Sequence, residues 1–274
     1  MANTHKPSVS GASRGVSSRG YDIIGNIAIV KFRRGESLGE KKKFAKALMK
    51  AHKGITTVLE KSGKISGRLR TLKTKFILGE KTKEALYREN GCIFRLNVDT
   101  CYFSPRLAGE REEVAHMVKK GEDVLVMFGG IAPFAIVIAH AGKARRVASV
   151  ELGKECSKYA LENAKRNKLT EKVEIVQGDV RKKVPKMKER WDRIVMARPN
   201  LKDSFLDVAF RKIKKNGIIH YYGFYEEKKI NVLKELIERE AKRAGKKIII
   251  KKTKKAGDIG VKKYRYRADI LVEN

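Results

Sequence analysis

From about Val114 onward, short apolar runs alternate with longer stretches whose apolar positions recur at helical spacing. That alternation predicts a parallel sheet with crossover helices. Strands are predicted near 123–128, 146–151, 173–177, 192–197, 216–223, 247–252 and 264–272, and helices near 133–141, 154–167, 201–214 and 228–244. Seven strands result, the last two following the final helix as a hairpin-like pair. Ahead of this unit, Tyr21 to about Asp99 predicts a small α+β unit. Ile23, Ile24, Ile27, Ile29 and Phe32 read as strand, Phe44, Ala47, Leu48 and Ala51 repeat at helical spacing, and Cys92 to Val98 alternates as a further strand. Lys61 to Lys75, basic and glycine-containing, reads as a surface loop. Residues 1–20 hold Ser, Gly and Arg with no acid and no hydrophobic period, which predicts a disordered basic arm. The expected division is that arm, a small RNA-contacting domain over 21–100, and a larger α/β domain over 101–274.

Charge changes the picture of partners rather than of fold. The chain carries 64 Lys and Arg against 31 Asp and Glu, a formal net charge of +33 over 274 residues. Surfaces adapted to heat mix both signs in ion-pair networks. So one-sided an excess points to a polyanion, each neutralised phosphate adding sequence-independent affinity. Residues 246–267 hold ten Lys and Arg and a single acid, with Tyr264 and Tyr266 interleaved. Lys251, Lys252, Lys254, Lys255 and Arg265 are candidates to track phosphates, and Tyr264 to stack on an unpaired base. The plainer alternative is a pair of strands with solvated outer faces. No apolar run approaches ~18 residues, so no membrane-spanning helix is expected. Cys92, Cys101 and Cys156 lack metal-ligand spacing and read as reduced thiols of a cytosolic protein; no metal site is expected.

Candidate chemistry lies at predicted strand ends. Met127-Phe-Gly-Gly-Ile-Ala-Pro-Phe134 breaks a strand into a glycine turn and then a helix. In an α/β sheet that turn lies at the carboxyl end of the strand, where ligands bind. Gly129, Gly130 and Ala132 allow close backbone approach. Glu151 ends the second strand, where an acid can bind ribose hydroxyls, and Asp179 ends the third, within reach of an adenine amino group. Together these features predict a nucleoside ligand; a Walker lysine and a full G-x-G-x-x-G are both missing. Just upstream, Tyr102-Phe-Ser-Pro-Arg-Leu-Ala-Gly-Glu-Arg111 sets a ring, two arginines and a carboxylate beside the turn. Such a carboxylate suits proton removal, and equally suits a helix N-terminus favoured by the macrodipole.

These motifs, followed in order by Gly178-Asp-Val-Arg181, Met196-Ala-Arg-Pro199 and Ile219-His-Tyr-Tyr222, resemble the archaeal and eukaryotic tRNA guanine-37 N1-methyltransferases. The resemblance runs from Asp22-Ile-Ile-Gly25 nearly to the end of the sequence. It implies a class I, Rossmann-like methyltransferase fold with S-adenosyl-L-methionine as cofactor and tRNA as partner. It implies cofactor contacts from Arg111, Phe128, Gly130, Glu151, Leu152, Asp179, Val180 and Ala197. Glu110 would be the general base for the guanine N1 proton. Arg70 would stabilise charge on O6, Tyr102 would pack beside the base or the methyl donor, and Arg106 would contact RNA. A sister family, the wybutosine-synthesising aminocarboxypropyltransferases, shares fold and cofactor but transfers a different group. A relative that binds tRNA without catalysis is the third reading. The sequence departs from the family pattern at Val126, where an acid is usual, at Ala132, where a second glycine is usual, and at Ala197, where the asparagine of Asn-x-Pro is usual. The family's tRNA-elbow domain has no counterpart ahead of Asp22, so a protein partner replacing it is a further expectation.

Overall fold

The structure, a computed structural model, describes residues 19–63, 67, 69, 71–198 and 203–274. Arg70, Pro199 and nearly all of the predicted arm lie outside the described residues.

A four-stranded sheet opens the chain. β1 (Tyr21–Ile24) and β2 (Ile27–Val30) pair antiparallel, α1 (Leu38–Ala51) crosses over, β3 (Thr57–Lys61) runs parallel to β2, and β4 (Thr74–Gly79) completes the order β1-β2-β3-β4. Ser37 and Glu40 form a reciprocal capping box that starts α1, and the helix buries Phe44, Ala45 and Leu48. β2 is buried on both faces: Ala28 and Val30 meet α1, while Ile27 and Ile29 join the core of the larger domain. A hairpin follows, β5 (Glu84–Glu89) and β6 (Cys92–Asn97).

The larger domain contains α2 (Ala108–Met117), β7 (Asp123–Met127), α3 (Pro133–His140), β8 (Arg146–Glu151), α4 (Lys154–Arg166), β9 (Val173–Gln177), α5 (Val180–Lys183), β10 (Trp191–Met196), α6 (Leu206–Lys212), β11 (Ile213–Glu226), α7 (Ile230–Arg243), β12 (Ile248–Gly260) and β13 (Lys263–Val272). Its mixed sheet has the order β12-β13-β11-β10-β7-β8-β9. β7 to β11 run parallel; β13 inserts antiparallel between β11 and β12. Val124 and Val126 face one core, Leu125 and Met127 the other, so the continuous apolar run reflects burial on both faces. The seven predicted strands are all present, with β11 and β12 longer than expected. The hairpin β5–β6, read from sequence with the small domain, docks on α4 through two asparagines. Asn163 bonds both backbone groups of Arg95 and Asn167 those of Ile93, at 2.7–3.0 Å.

The cysteine reading needs correction. Cys101 and Cys156 form a disulfide, their Cα atoms 5.5 Å apart across 55 residues. The segment ahead of Tyr102 packs against the first turn of α4, a proximity that spacing along the chain does not reveal. Cys92 stays a buried free thiol, pushed up to about 12 by burial and then by the charge of Glu89. Among the described residues, no cluster of His, Cys, Asp and Glu could hold a metal, and no helix is long and apolar enough to cross a membrane.

Candidate active site

The glycine turn after β7 is the floor of the site. Phe128 and Ala132 both adopt left-handed backbone, φ 64° and 63°. Each such non-glycine residue costs roughly 1–2 kcal/mol, which makes two within five residues a locally strained segment. Gly129 is required by space: a Cβ there would lie 2.0 Å from Ser149 Oγ. Glu151 ties this turn to the next one, accepting from Gly130 N (2.8 Å) on one carboxylate oxygen and Gly153 N (2.7 Å) on the other.

Over this floor opens a cavity of about 740 Å³, partly open to solvent, walled by Tyr102, Phe103, Phe128, Gly130, Phe134, Glu151, Ala197 and Arg198. A smaller recess of about 310 Å³ continues it, lined by Phe128, Glu151, Leu152, Asp179, Val180, Arg198 and Phe205. The two share Phe128, Glu151 and Arg198, so the predicted cofactor residues line one elongated slot. Aromatic and aliphatic walls, a carboxylate midway, a second acid in the recess and a side-chain-free glycine floor suit an adenosine with a charged sulfonium arm. Asp179 also caps α5, accepting from Arg181 N at 2.9 Å. Val126 supplies an apolar wall where an acid is usual.

Arg111 combines the expected place at the cavity wall with a structural one. It lines the cavity, but its buried guanidinium is gripped in bidentate fashion by Glu89 and donates to Ser104 O at 3.1 Å. It holds up the segment that carries Tyr102 and lies 5.0 Å from the Phe103 ring.

Tyr102, Phe103 and Ser104 also border a second cavity, of about 1380 Å³, between the small domain and the β12–β13 hairpin. Asp22, Ile24 and Lys61 line one side; Ala256, Asp258 and Arg265 line the other. Arg106 lies on its rim, paired with Asp22. Leu69, next to Arg70, lines the first cavity.

Glu110 sits in the first turn of α2, buried. Its Oε1 accepts from Tyr222 Oη at 2.8 Å and from Arg267, and Lys254 Nζ lies 3.4 Å from Oε2. It lines neither cavity; Leu107 and Arg111, from the same segment, stand at the cavity wall. Of the predicted RNA-contacting residues, Lys251, Lys252 and Lys255 are exposed on β12; Lys252 lies 3.9 Å from Glu113, Lys254 pairs with Glu113 and Lys255 with Glu227. The Lys255 ammonium also lies 3.9 Å from the Tyr264 ring centre, and Arg265, buried, stacks over Phe224 at 5.4 Å. Sequence reasoning missed Arg198, hidden in the departing Ala-Arg-Pro motif, and Arg267, counted as one more charge of a basic tail. The parity of residues 265, 267 and 269 on one strand face was the available signal.

The TRM5/TYW2 methyltransferase domain matches residues 85–249 and the TYW2 N-terminal domain matches residues 11–82. Trm5b, a tRNA (guanine(37)-N(1))-methyltransferase of Pyrococcus abyssi, is 41% identical over 207 residues, 76% of this chain and 60% of that protein. Its crystal structure superposes with a TM-score of 0.83 at 35% identity, covering 93% of this chain and 75% of that one. Taw22 of Nanoarchaeum equitans, a tRNA (guanine(37)-N(1))/4-demethylwyosine(37)-methyltransferase, is 33% identical over 308 residues, covering 92% of this chain and 99% of the relative. The structure of Methanocaldococcus jannaschii TYW2 in complex with AdoMet has a TM-score of 0.71 at 25% identity, covering 93% of this chain and all of that one, 100%.

Proposed function

Because the chain belongs to the TRM5/TYW2 methyltransferase family, we propose that it transfers the methyl group of S-adenosyl-L-methionine to N1 of guanine 37 in tRNA. One observation supports the reading: the slot and the interdomain cavity meet at Tyr102, Phe103 and Ser104, an arrangement that suits a methyl donor on one side and a base on the other.

S-adenosyl-L-methionine supplies an electrophilic methyl group on a sulfonium. Glu151 faces its ribose, Leu152 and Val180 flank the adenine with Asp179 at its edge, and the Gly129–Gly130 floor admits the amino acid arm. Phe128 and Ala197 close the sides. Tyr102 packs between donor and target base, and Glu110 takes the N1 proton as that nitrogen attacks. Guanine N1 is protonated at neutral pH, so the reaction needs such a base. Arg70 stabilises charge developing on O6, and most of the acceleration comes from orientation and preset charge. Arg106, Lys251, Lys252 and the other basic groups of the β12–β13 hairpin contact the RNA backbone, and the reaction takes place in the cytoplasm.

Aminocarboxypropyl transfer is the second reading, favoured by the match to the TYW2 N-terminal domain and by Ala197 in place of asparagine. S-adenosyl-L-methionine labelled separately in its methyl group and its aminocarboxypropyl chain separates the two. Purified protein and unmodified tRNA should place methyl label on guanine 37; chain label on pre-modified tRNA would reassign the reaction, and no transfer of either label would leave a tRNA-binding relative without catalysis. A protein partner for elbow recognition belongs to the same proposal. Full activity of the purified chain on whole tRNA would remove it.

A further inference from the structure

The groups behind Glu110 form one connected network that the methyl-transfer reading does not use. Arg267 is fully buried, and its guanidinium donates to three carboxylates: Glu110, Glu113 at 2.8 Å and Asp269 at 2.8 and 3.2 Å. Asp269 is joined to His220 Nδ1 at 2.6 Å, and His220 Nε2 lies 2.7 Å from Arg193 Nη1. Arg193 in turn is fixed by Glu122 at 2.7 and 3.1 Å and by Met117 O at 2.8 Å.

The chemistry of the donors sets the protons. A guanidinium only donates, so His220 Nε2 must accept and the ring proton must sit on Nδ1, directed at Asp269. Burial, first among the causes, pushes His220 down and keeps that ring neutral. Burial opposes the charge on Asp269, but the His220 ring and the Arg267 guanidinium outweigh it and hold its carboxyl below the usual range. Asp269 therefore stays an anion that clamps Arg267 at Nε and Nη2. Nη1 is left for Glu110 Oε1, the oxygen that also receives the Tyr222 hydroxyl. Burial, then the neighbouring carboxylate, push the Tyr222 phenol far up, so it remains a donor. His220 and Tyr222 are two residues apart on β11 and point to the same face.

We propose that Arg267 and Tyr222, held by Asp269 and His220, are positioning residues that fix Oε1 of Glu110 and present Oε2 as the oxygen that accepts the guanine proton. The inference rests on the base assignment to Glu110. Lys254, a partly exposed ammonium on the hairpin that borders the interdomain cavity, lies 3.4 Å from Oε2.

The test uses the full chain with unmodified tRNA and measures kcat, KM for tRNA and S-adenosyl-L-methionine affinity for wild type, Tyr222→Phe, Asp269→Asn and Glu110→Gln. Tyr222→Phe removes one hydroxyl and keeps the ring packed on Phe134, whose centroid is 6.1 Å away. Losing a hydrogen bond to a charged group should lower kcat roughly 10- to 100-fold with KM and cofactor affinity within about twofold. Asp269→Asn should lower kcat in the same direction, with thermal melting showing whether it remains folded. If Glu110→Gln is inactive while folded Tyr222→Phe keeps wild-type kcat, or loses only KM, the positioning role is overturned and the base stands. If Glu110→Gln keeps wild-type kcat, the base assignment itself fails.

Discussion

The Glu89–Arg111 pair offers a measurable consequence of burying charge beneath an active-site segment. Both side chains are 2% exposed, and two guanidinium nitrogens meet the two carboxylate oxygens. Removing one partner leaves an uncompensated buried charge, a loss of about 3–5 kcal/mol. Arg111→Met also strips the donor from Ser104 O and the cation from the Phe103 ring, each about 1 kcal/mol. Glu89→Leu leaves the guanidinium with Ser104 O and the Phe103 and Phe134 rings. At roughly 2–4 °C per kcal/mol for a domain of this size, Glu89→Leu should melt roughly 6–20 °C and Arg111→Met roughly 10–28 °C below wild type. The double variant Glu89→Leu/Arg111→Met carries no buried charge and should lie within about 2 kcal/mol of wild type, because apolar replacements of buried pairs are often near neutral. Guanidinium chloride unfolding of all four proteins closes the cycle. A double variant as unstable as the sum of the singles would refute the account, as would singles that cost under about 1 kcal/mol.

Four further outcomes follow from the same geometry. Glu151→Gln should weaken S-adenosyl-L-methionine about tenfold or more by calorimetry, since a neutral amide replaces an anionic acceptor and its amine clashes with Gly130 N or Gly153 N. Asp269 is held below the usual carboxylate range, so its stabilisation is present above about pH 4, the unfolded value, and disappears as pH falls through the lower folded value. Acid unfolding of Asp269→Asn should therefore show a shallower pH slope than wild type in that window. Replacing Lys251 and Lys252 by alanine should reduce the slope of log K for tRNA against log salt by about 1.8 if each neutralises one phosphate; an unchanged slope returns them to solvated positions. Reduction of Cys101–Cys156, or Cys101→Ser, should lower stability by about 2–4 kcal/mol, read as a fall in Tm on adding a reductant.

The larger sheet was legible because its parallel strands are short apolar runs buried on both faces, as in Val124–Met127, and because glycine and acid residues mark their ends. The β12–β13 hairpin was less so. Its lysines come in pairs, Lys251–Lys252 and Lys254–Lys255, on a strand that runs to Gly260, and a basic stretch reads as surface wherever its side chains point. β3, β4 and β5 escaped because Thr57–Lys61, Thr74–Gly79 and Glu84–Glu89 set two or three consecutive apolar residues between polar ends instead of alternating, and β5 is tied down by Asn26, whose side chain accepts from Leu86 N at 2.9 Å. α2 was hidden because its buried face includes Glu110 and Arg111, which hydrophobic periodicity counts as solvent-facing. The slot was legible residue by residue, since each strand end supplies its own contact. The network behind Glu110 was not, because it forms between strands far apart in sequence.

That separation bears on how the protein matures. Glu110 and Arg267 are 157 residues apart, and β13, which carries Arg267 and Asp269, must insert between β11 and β12 rather than add to an edge. During translation, α2 and the first four strands of the large sheet emerge with the carboxylate lacking its guanidinium. The slot walls, all from residues up to Phe205, can assemble earlier. Such long-range closure is slow relative to local pairing. A nascent chain should thus form the walls of the slot before Glu110 meets Arg267, and the proposed base would be fixed only when the sheet has closed.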